Sequence, residues 1–173
     1  MSLAGIDVTR LLLRDALDIA ILIEEEARDR YRELAAQLLL HHTPKAAAWF
    51  ERMSRIEERH RQALASRRAQ QFGNEPSVIS RQLILEVEAP AYDEARAFMT
   101  VGEALQTALR AETRAYEFYR DATAAVTDRS VAALFVELRD EELEHQQMVR
   151  TELAALPPET GTGDAYADGP QGL

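Results

Sequence analysis

The size, composition and charge of the chain exclude several classes of protein. Its 173 residues are 46% hydrophobic and 29% charged and include only 7 Gly and 6 Pro, which is the balance of a single soluble helical domain. The formal net charge of −10 argues against a nucleic-acid groove, because phosphate binding needs clustered Lys and Arg. There is no Cys, so disulfides, thiolate metal sites and a nucleophilic Cys are excluded, and any metal must be held by oxygen and imidazole nitrogen.

Charged residues interrupt the apolar residues near the N-terminus too often for a signal peptide or a membrane span. They are Asp7, Arg10, Arg14, Asp15 and Asp18. We therefore expect a cytoplasmic protein that has neither a membrane nor a nucleic acid as its partner.

A long amphipathic helix is predicted from Asp7 to about His42, a stretch without Pro or Gly. Its stripe recurs at alternating steps of three and four residues and consists of Leu13, Leu17, Ala20, Glu24, Ala27, Tyr31, Leu34 and Leu38. A helix of this length presents more apolar surface than three partner helices cover. We therefore expect a homodimer or a larger homo-oligomer, with contacts at the leucines off the stripe, which are Leu11, Leu12, Leu39 and Leu40.

The second helix is predicted from Pro44 to about Phe72, antiparallel to the first after a tight turn. Thr43 is its predicted N-cap, Pro44 suits the first helical position, and Gly73 is the predicted C-terminal stop. The stripe consists of Ala46, Phe50, Met53, Glu57, His60 and Leu64. A run of arginines is assigned to the outer, salt-bridged side of this helix, namely Arg59, Arg61, Arg67 and Arg68.

A long crossover is predicted between helices two and three. Residues 74–99 contain Pro76 and Pro90 and show no sustained helical period. Thr100 and Glu103 form the pattern of a capping box, which opens the third helix. The stripe of this helix consists of Leu105, Ala108, Glu112, Ala115, Tyr119, Ala122 and Val126.

The fourth helix is predicted to begin after Thr127 and Asp128, which cap it, and to end at Pro157 and Pro158. Its stripe consists of Val131, Phe135, Leu138, Glu142, His145 and Val149. The residues that follow contain Gly and Pro, few large apolar residues and no periodicity. We therefore expect one four-helix bundle domain at 1–156 and a flexible C-terminal tail at 157–173.

The same chemical pattern occurs twice on these stripes. Each half of the chain has a Glu with a Tyr seven residues later on one helix, and a Glu-x-x-His pair on the next helix. The first set is Glu24, Tyr31, Glu57 and His60, and the second is Glu112, Tyr119, Glu142 and His145. Four carboxylates and two imidazoles on inward-facing stripes indicate a two-metal site inside a four-helix bundle.

The energetics of buried charge support this interpretation. Ionised carboxylates in a dry interior are costly unless they are paired or bind metal, and four of them would also repel one another. No Lys or Arg occupies the stripes at the same level, so two divalent cations are the simplest counterions. Oxygen-rich ligation with one imidazole per ion favours iron or manganese, with zinc as a substitute, and leaves open positions for water, oxygen or peroxide.

Tyr31 and Tyr119 lie two turns along the stripes from Glu24 and Glu112. Their hydroxyls are candidates for hydrogen bonds to the carboxylates of the neighbouring helix, where they would support catalysis. The alternative is that both are ordinary core tyrosines whose hydroxyls bond elsewhere.

These residues resemble the rubrerythrin-like branch of the ferritin-like superfamily. The similarity covers about residues 10 to 155 and is carried by four segments in order, IEEEARDRYRELA, FERMSRIEERH, LRAETRAYEFYRDA and FVELRDEELEH. The resemblance implies an all-α, ferritin-like antiparallel four-helix bundle with a long crossover between helices two and three. It also implies that two iron ions are bound by Glu24, Glu57, His60, Glu112, Glu142 and His145.

The chain departs from the rubrerythrin pattern in two ways. Full-length rubrerythrins carry a rubredoxin-like module with four Cys, whereas this chain has no Cys and would need an external electron donor for catalysis. Rubrerythrin sites also have an additional Glu one turn along the third helix, where this chain has Ala115. The second departure argues against peroxide reduction and favours the symmetric six-ligand arrangement of bacterioferritin-type centres.

Three functions are compatible with this pattern. The first is a di-iron carboxylate protein that reacts Fe(II) with dioxygen or peroxide, as a ferroxidase-type or peroxidase-type oxidoreductase in iron handling, peroxide detoxification or defence against oxidative stress. The second is a di-iron oxygenase that acts on an organic substrate. The third is a non-catalytic bundle that binds metal or stores iron.

Overall fold

The computed structural model describes residues 7–81, 87, 89–90 and 99–157. Helix dominates this part of the chain, and no strand occurs in it. A short 3-10 helix at Val8–Arg10 precedes four long helices, namely α1 (Leu13–Leu40), α2 (Pro44–Phe72), α3 (Val101–Ala125) and α4 (Arg129–Ala155). The predicted all-α fold is confirmed.

Contacts between side chains define the direction of α3 relative to α1. Tyr31 in α1 donates a hydrogen bond to Glu112 in α3. Thr127, just after α3, donates a hydrogen bond to the carbonyl of Thr9, just before α1. Because the end of α3 lies at the start of α1, the two helices are antiparallel.

α4 is antiparallel to α2, and the four helices together form the expected ferritin-like bundle. Arg52 near the start of α2 pairs with Glu152 near the end of α4, and Arg67 near the end of α2 pairs with Glu137. The tight turn at residues 41–43 makes α2 antiparallel to α1. The predicted antiparallel four-helix bundle is therefore confirmed.

The connection from α2 to α3 joins opposite ends of the bundle. α2 and α3 are both antiparallel to α1, so they run parallel to each other and the chain must return along the bundle between them. Residues 82–86, 88 and 91–98 of this connection lie outside the described residues. The course of the predicted crossover therefore stays a prediction.

Two apolar clusters fill the interior, and the acidic residues of the stripes lie where the clusters meet. One cluster includes Tyr31, Phe50 and Leu105 near the turn between α1 and α2. The other includes Leu17 and Phe135 at the opposite end. Because both clusters exclude water, polar groups between them need partners within the protein or bound to it.

The first helix begins later than predicted. Asp7 accepts hydrogen bonds from the Thr9 backbone N–H and hydroxyl and caps the 3-10 helix instead of opening α1. Leu11 then has extended backbone and is only 6% exposed, because it packs into the core. The predicted helix start at Asp7 is therefore wrong, and Leu11 does not belong to a dimer surface. Leu12, Leu39 and Leu40 are exposed, and the oligomeric state stays a prediction.

The second helix has the predicted bounds but not the predicted N-cap bond. Pro44 occupies the first helical position, as predicted. The hydroxyl of Thr43 donates a hydrogen bond to the carbonyl of Leu38, so it secures the end of α1 and does not cap α2. Gly73 ends α2 with a φ of +56°, a conformation that glycine adopts without strain.

The last two helices begin at the predicted caps. The hydroxyl of Thr100 accepts a hydrogen bond from the Glu103 N–H, and the Glu103 carboxylate accepts one from the Thr100 N–H, which completes the capping box. Asp128 accepts hydrogen bonds from the N–H groups of Ser130 and Val131 at the start of α4. Residues 158–173, which include most of the predicted tail, lie outside the described residues.

Arg68 is buried and does not lie on the outer side of α2 as predicted. Its guanidinium donates hydrogen bonds to the Asp18 carboxylate and to the carbonyls of Gly73 and Glu75. The side chain therefore turns inward because it neutralises a buried acid of α1 and supplies donors to the C-terminal end of α2. None of the described helices combines the length and apolar character needed to cross a membrane.

Candidate metal centre

Each of the four helices contributes one glutamate to the level where the two apolar clusters meet. Glu24, Glu57, Glu112 and Glu142 are at most 1% exposed. The inward direction follows from the stripe, since residues three, four and seven apart share one face of a helix. The two histidines follow their glutamates by one turn on α2 and α4 and therefore point to the same layer.

The second half-site, which consists of Glu112, Glu142 and His145, is well ordered by hydrogen bonds. His145 Nδ1 lies 3.0 Å from Glu112 Oε2 and 3.5 Å from Glu142 Oε2. Tyr31 donates a hydrogen bond of 2.8 Å to Glu112 Oε1. The His145 side chain is 8% exposed. Both oxygens of Glu112 and the imidazole of His145 are therefore held in place by contacts within the bundle.

The first half-site, which consists of Glu24, Glu57 and His60, is looser and closer to solvent. His60 Nδ1 lies 4.0 Å from Glu24 Oε2 and 3.9 Å from Glu57 Oε2, and both distances are too long for hydrogen bonds. The His60 side chain is 25% exposed. Solvent therefore reaches the acidic layer more readily at His60 than at His145.

The two half-sites meet at the histidines. The rings of His60 and His145 are stacked, with centroids 4.9 Å apart and planes inclined by 12°. Glu57, His60 and His145 offer ligand atoms within 4.8 Å of one another, and so do Glu112, Glu142 and His145. Glu24 belongs to neither triplet, but its Oε2 lies 4.0 Å from Nδ1 of His60, which belongs to the first triplet. The structure thus brings all six predicted residues to one layer.

Several polar atoms of this layer fit a bound cation. Among the described residues, no amide, hydroxyl, imidazole or guanidinium group donates a hydrogen bond to either oxygen of Glu24 or to Glu142 Oε2, and all three oxygens are buried. The Nδ1 atom of His60 is likewise buried without a hydrogen bond in this part of the chain. Buried polar atoms normally have partners, and carboxylate oxygens with imidazole nitrogen are ligands that iron accepts.

Burial dominates the electrostatics of two of the carboxyls. It raises the pKa of Glu24 to about 8, although the carboxyl of Glu57 beside it and the charge of His145 act in the opposite direction. Burial also raises the pKa of Glu142 well above its usual value, and the negative charges of Glu112 and Glu24 add to this effect. Both carboxyls would therefore release protons when a cation binds.

Glu112 and His60 respond differently to the same interior. Burial opposes ionisation of Glu112, but the hydrogen bond and charge of His145 outweigh it, so that the pKa of Glu112 is lowered. Burial and the charge of His145 lower the pKa of His60 to about 4, which keeps its imidazole neutral. A neutral imidazole is the form that binds metal.

The two tyrosines have different surroundings. Tyr31 is fully buried, stacks on Phe50 with ring centroids 5.7 Å apart, and donates its hydroxyl to Glu112 of the neighbouring helix. Tyr119 is also fully buried, and its ring centroid lies 5.8 Å from that of Phe135 in the other apolar cluster. A part in catalysis stays a prediction for both residues.

Gln146 is a residue of the site that sequence reasoning missed. It is 6% exposed, and its Nε2 donates a hydrogen bond of 3.3 Å to the backbone carbonyl of Glu112. Arg150 in turn donates to Oε1 of Gln146. The signal that could have revealed Gln146 is its position four residues after Glu142, which places it on the same face of α4.

Comparison with known proteins identifies the family. The family model described as Rubrerythrin matches residues 15–153. The chain belongs to the rubrerythrin family. The match covers α2 and α3 completely, all but the outermost residues of α1 and α4, and every residue of the two half-sites. Within this rubrerythrin-family chain, Ala115 is fully buried one turn after Glu112.

One solved structure supports the fold. It is the crystal structure, at 2.00 Å resolution, of an uncharacterised conserved protein from Magnetospirillum magnetotacticum MS-1. That protein is 29% identical to this rubrerythrin-family chain, and the match covers 85% of this chain and 97% of the other with a TM-score of 0.65. A search of curated proteins finds no match.

Proposed function

We propose that this rubrerythrin-family chain binds two iron ions and reacts Fe(II) with dioxygen or peroxide, in iron handling or peroxide detoxification. The proposed ligands are Glu24, Glu57, His60, Glu112, Glu142 and His145. Bound iron would supply the redox chemistry, since it exchanges electrons with oxygen species. The residues of the chain would hold the metal pair, limit the access of water and manage protons.

The observation that supports this proposal most strongly is the convergence of four buried glutamates, one from each helix, on one layer of the bundle. Among the described residues, no Lys or Arg forms an ion pair with Glu24, Glu112 or Glu142. Leaving such acids ionised in an apolar interior is costly, and two divalent cations would carry the matching charge. Family membership points to the same chemistry.

The proposed ligands would have unequal roles in proton transfer. Glu24 and Glu142, whose pKa values are raised, would lose protons as the metal enters. The Tyr31 hydroxyl would keep its hydrogen bond to Glu112 and so hold that carboxylate in a fixed orientation. His60, the more exposed imidazole, would lie at the side from which dioxygen or peroxide arrives.

The proposal is tested by loading the protein with Fe(II) under anaerobic conditions and then admitting air or peroxide. We expect about two irons per chain, as in other paired-carboxylate bundles, and an absorbance rise in the near ultraviolet when they are oxidised. Glu57→Ala should abolish the rise while circular dichroism shows intact helices. Glu51→Ala is the matched control, because Glu51 lies on the same helix with its side chain 49% exposed.

Two outcomes would contradict the proposal. The first is wild-type protein that takes up no iron, or a Glu57→Ala variant that takes up as much as the Glu51→Ala control. The second is protein that binds Fe(II) but oxidises it no faster than buffer does with either oxidant. The second outcome would leave a metal-binding bundle without this reaction.

A further inference from the structure

Two arginines from different helices bind neighbouring carbonyl groups of the connection between α2 and α3. Arg30 in α1 donates a hydrogen bond of 2.9 Å from Nη1 to the carbonyl of Pro90. Arg114 in α3 donates one of 3.0 Å from Nη2 to the carbonyl of Ala89. Ala89 and Pro90 are buried although they belong to neither helix. These two residues therefore bridge α1 and α3 through the two guanidinium groups.

The bridge lies at the level of the second half-site. Arg30 immediately precedes Tyr31, and Arg114 follows Glu112 by two positions. Tyr31 and Glu112 join the same two helices on the inner side through their hydrogen bond of 2.8 Å. Successive helical residues point about 100° apart, so the arginines leave the helices on a different side from the inward-facing pair. α1 and α3 are thus joined twice at one level.

The burial of Arg30 shows how closely the bridge is packed. Arg30 is 6% exposed and Ala89 is 1% exposed. The hydrogen bond from Arg30 to Pro90 and the hydrogen bond that Ala89 accepts from Arg114 therefore lie largely out of water. A charged donor on a buried carbonyl forms one of the stronger hydrogen bonds in proteins. Removing either guanidinium would leave the carbonyl that it binds without its charged donor. A buried carbonyl without a donor favours rearrangement of the contact and entry of water between the helices.

We propose that Arg30 and Arg114 form a clamp that positions the Tyr31 hydroxyl on Glu112. By binding Pro90 and Ala89, the clamp holds α1 against α3 at the distance that the Tyr31 hydrogen bond requires. Both arginines are positioning residues, since they act on Glu112 through the helices and Tyr31. The importance of Glu112 as a metal ligand rests on the proposed function, whereas the clamp itself is a contact within the protein.

The clamp can be tested without metal by nuclear magnetic resonance of protein with ¹³C at the tyrosine Cζ. The signal of Tyr31 is assigned by its loss in Tyr31→Phe. In the double variant Arg30→Gln/Arg114→Gln, we expect this signal to move toward that of a solvent-exposed tyrosine. An unchanged Tyr31 signal would refute the clamp.

The control is Arg120→Gln, which removes an exposed guanidinium from the same helix. This variant should leave the Tyr31 signal in place, and an equal shift would contradict a specific clamp. If the double variant does not fold, Arg114→Gln alone should give the same direction of shift with a smaller size, because Arg114 is only partly buried. Arg114→Lys, which keeps a charged donor, should restore part of the wild-type position.

A second measurement connects the clamp to metal binding. We expect the double variant to bind Co(II) about tenfold more weakly than wild type, as is common when partners of a metal ligand are removed. In a Tyr31→Phe background the same arginine replacements should change the affinity less than about twofold, since the pathway through Tyr31 is already lost. Equal losses in both backgrounds would overturn the proposal.

The clamp and the proposed function fail in different ways. If the chain binds no metal, wild type takes up no Co(II), but the Tyr31 signal still responds to the arginine replacements. If the clamp is wrong, wild type binds Co(II) and the arginine variants match it in both affinity and tyrosine signal.

Discussion

The two half-sites contain the same residue types, two Glu and one His, but differ in order and exposure. In the second half-site His145 Nδ1 lies 3.0 Å from Glu112, and its side chain is 8% exposed. In the first half-site no carboxylate comes closer than 3.9 Å to His60 Nδ1, and the side chain is 25% exposed. A repeat in the sequence thus supplies the same candidate ligands twice, while the packing around them makes the two sets unequal in order and exposure.

The neighbours of the two histidines explain much of this inequality. Gln146 follows His145 and donates a hydrogen bond to the backbone of Glu112. The residue that follows His60 is Arg61, which pairs with Glu58 at the surface. One histidine is therefore followed by a buried group that supports its half-site, and the other by a group directed to solvent. We expect the second half-site to bind its ion more tightly because its ligands are already oriented.

Replacing each histidine in turn should change the number of bound ions more than any other substitution considered below. His145 belongs to both triplets of close ligand atoms, whereas His60 belongs to one. His145→Ala should therefore abolish tight binding of both ions. His60→Ala should leave about one bound ion per chain, since Glu112, Glu142 and His145 remain to hold that ion. Equilibrium dialysis with Co(II) or Zn(II) and metal analysis gives the number of ions bound.

The control for this experiment is His42→Asn. His42 is exposed and has a φ of +59°, which Asn tolerates better than Ala does. This variant should bind as many ions as wild type. Equal losses from His145→Ala and His60→Ala would show that the half-sites do not differ in the way proposed here.

The second prediction concerns the stability of the metal-free protein against pH. The folded protein holds the Glu24 proton up to about pH 8, whereas the unfolded chain releases it near 4.5. Between these values the folded state binds more protons, so this group lowers the free energy of unfolding as pH rises, by at most about 1.4 kcal/mol per pH unit. Glu24→Gln should remove this slope, so the variant should be more stable than wild type in the metal-free state at pH 8, and the difference should shrink as the pH falls toward 4.5.

Glu112→Gln in the second half-site should have the opposite sign. The pKa of Glu112 is lowered, so its ionised form is favoured in the fold, and its contribution is present above its unfolded pKa and lost as pH falls. Glu112→Gln should therefore destabilise the protein near neutral pH. Urea unfolding with a chelator from pH 5 to pH 8 measures both variants, and the same sign for both would refute the comparison.

The third prediction uses Tyr31, whose hydroxyl donates a hydrogen bond to Glu112 in the second half-site. Tyr31→Phe removes the hydrogen bond to Glu112 and should weaken the binding of the tighter ion about tenfold. The weaker ion should be affected less. Tyr116→Phe is the control, because Tyr116 is a partly buried tyrosine of α3 that lies off the stripe. This variant should change neither of the two binding constants in a Co(II) titration.

The fourth prediction concerns the access of a chemical reagent to the two histidines, where we expect a modest difference. In metal-free protein, diethyl pyrocarbonate should modify His60 faster than His145, because the His60 side chain is 25% exposed and the His145 side chain is 8% exposed. The pKa of His60 is lowered to about 4, so its imidazole is also in the neutral, reactive form at pH 7. Peptide mass spectrometry separates the two sites. Protection of both by Zn(II) would link access to metal binding, and faster modification of His145 would reverse the comparison.

Local sequence patterns predicted most of the fold correctly. The capping box at Thr100 and Glu103, the cap at Asp128 and the stop at Gly73 all occur where predicted. These signals are reliable here because each depends on hydrogen bonds or backbone conformations within a few residues. The stripes likewise predicted which glutamates are buried, since helical period fixes the face on which a residue lies.

The errors arose where distant groups compete for a side chain. Leu11 lies outside α1 and packs into the core, and the Thr43 hydroxyl donates its hydrogen bond to the Leu38 carbonyl of the preceding helix. Arg68 turned inward to Asp18, which is 50 residues away in the chain. No local sequence pattern predicts such partners, because the two residues become neighbours only after the helices pack.

The spacing of apolar and acidic residues was sufficient to predict the four helices, their inward stripes and the six candidate ligands on one layer, because spacing along a helix dictates which side chains share a face. The packing of the helices against one another sets the lower exposure of His145 than of His60, the hydrogen bond from Tyr31 to Glu112, and the hydrogen bonds of two arginines to Ala89 and Pro90. Those features depend on distances between separate helices, which periodicity along one helix does not encode.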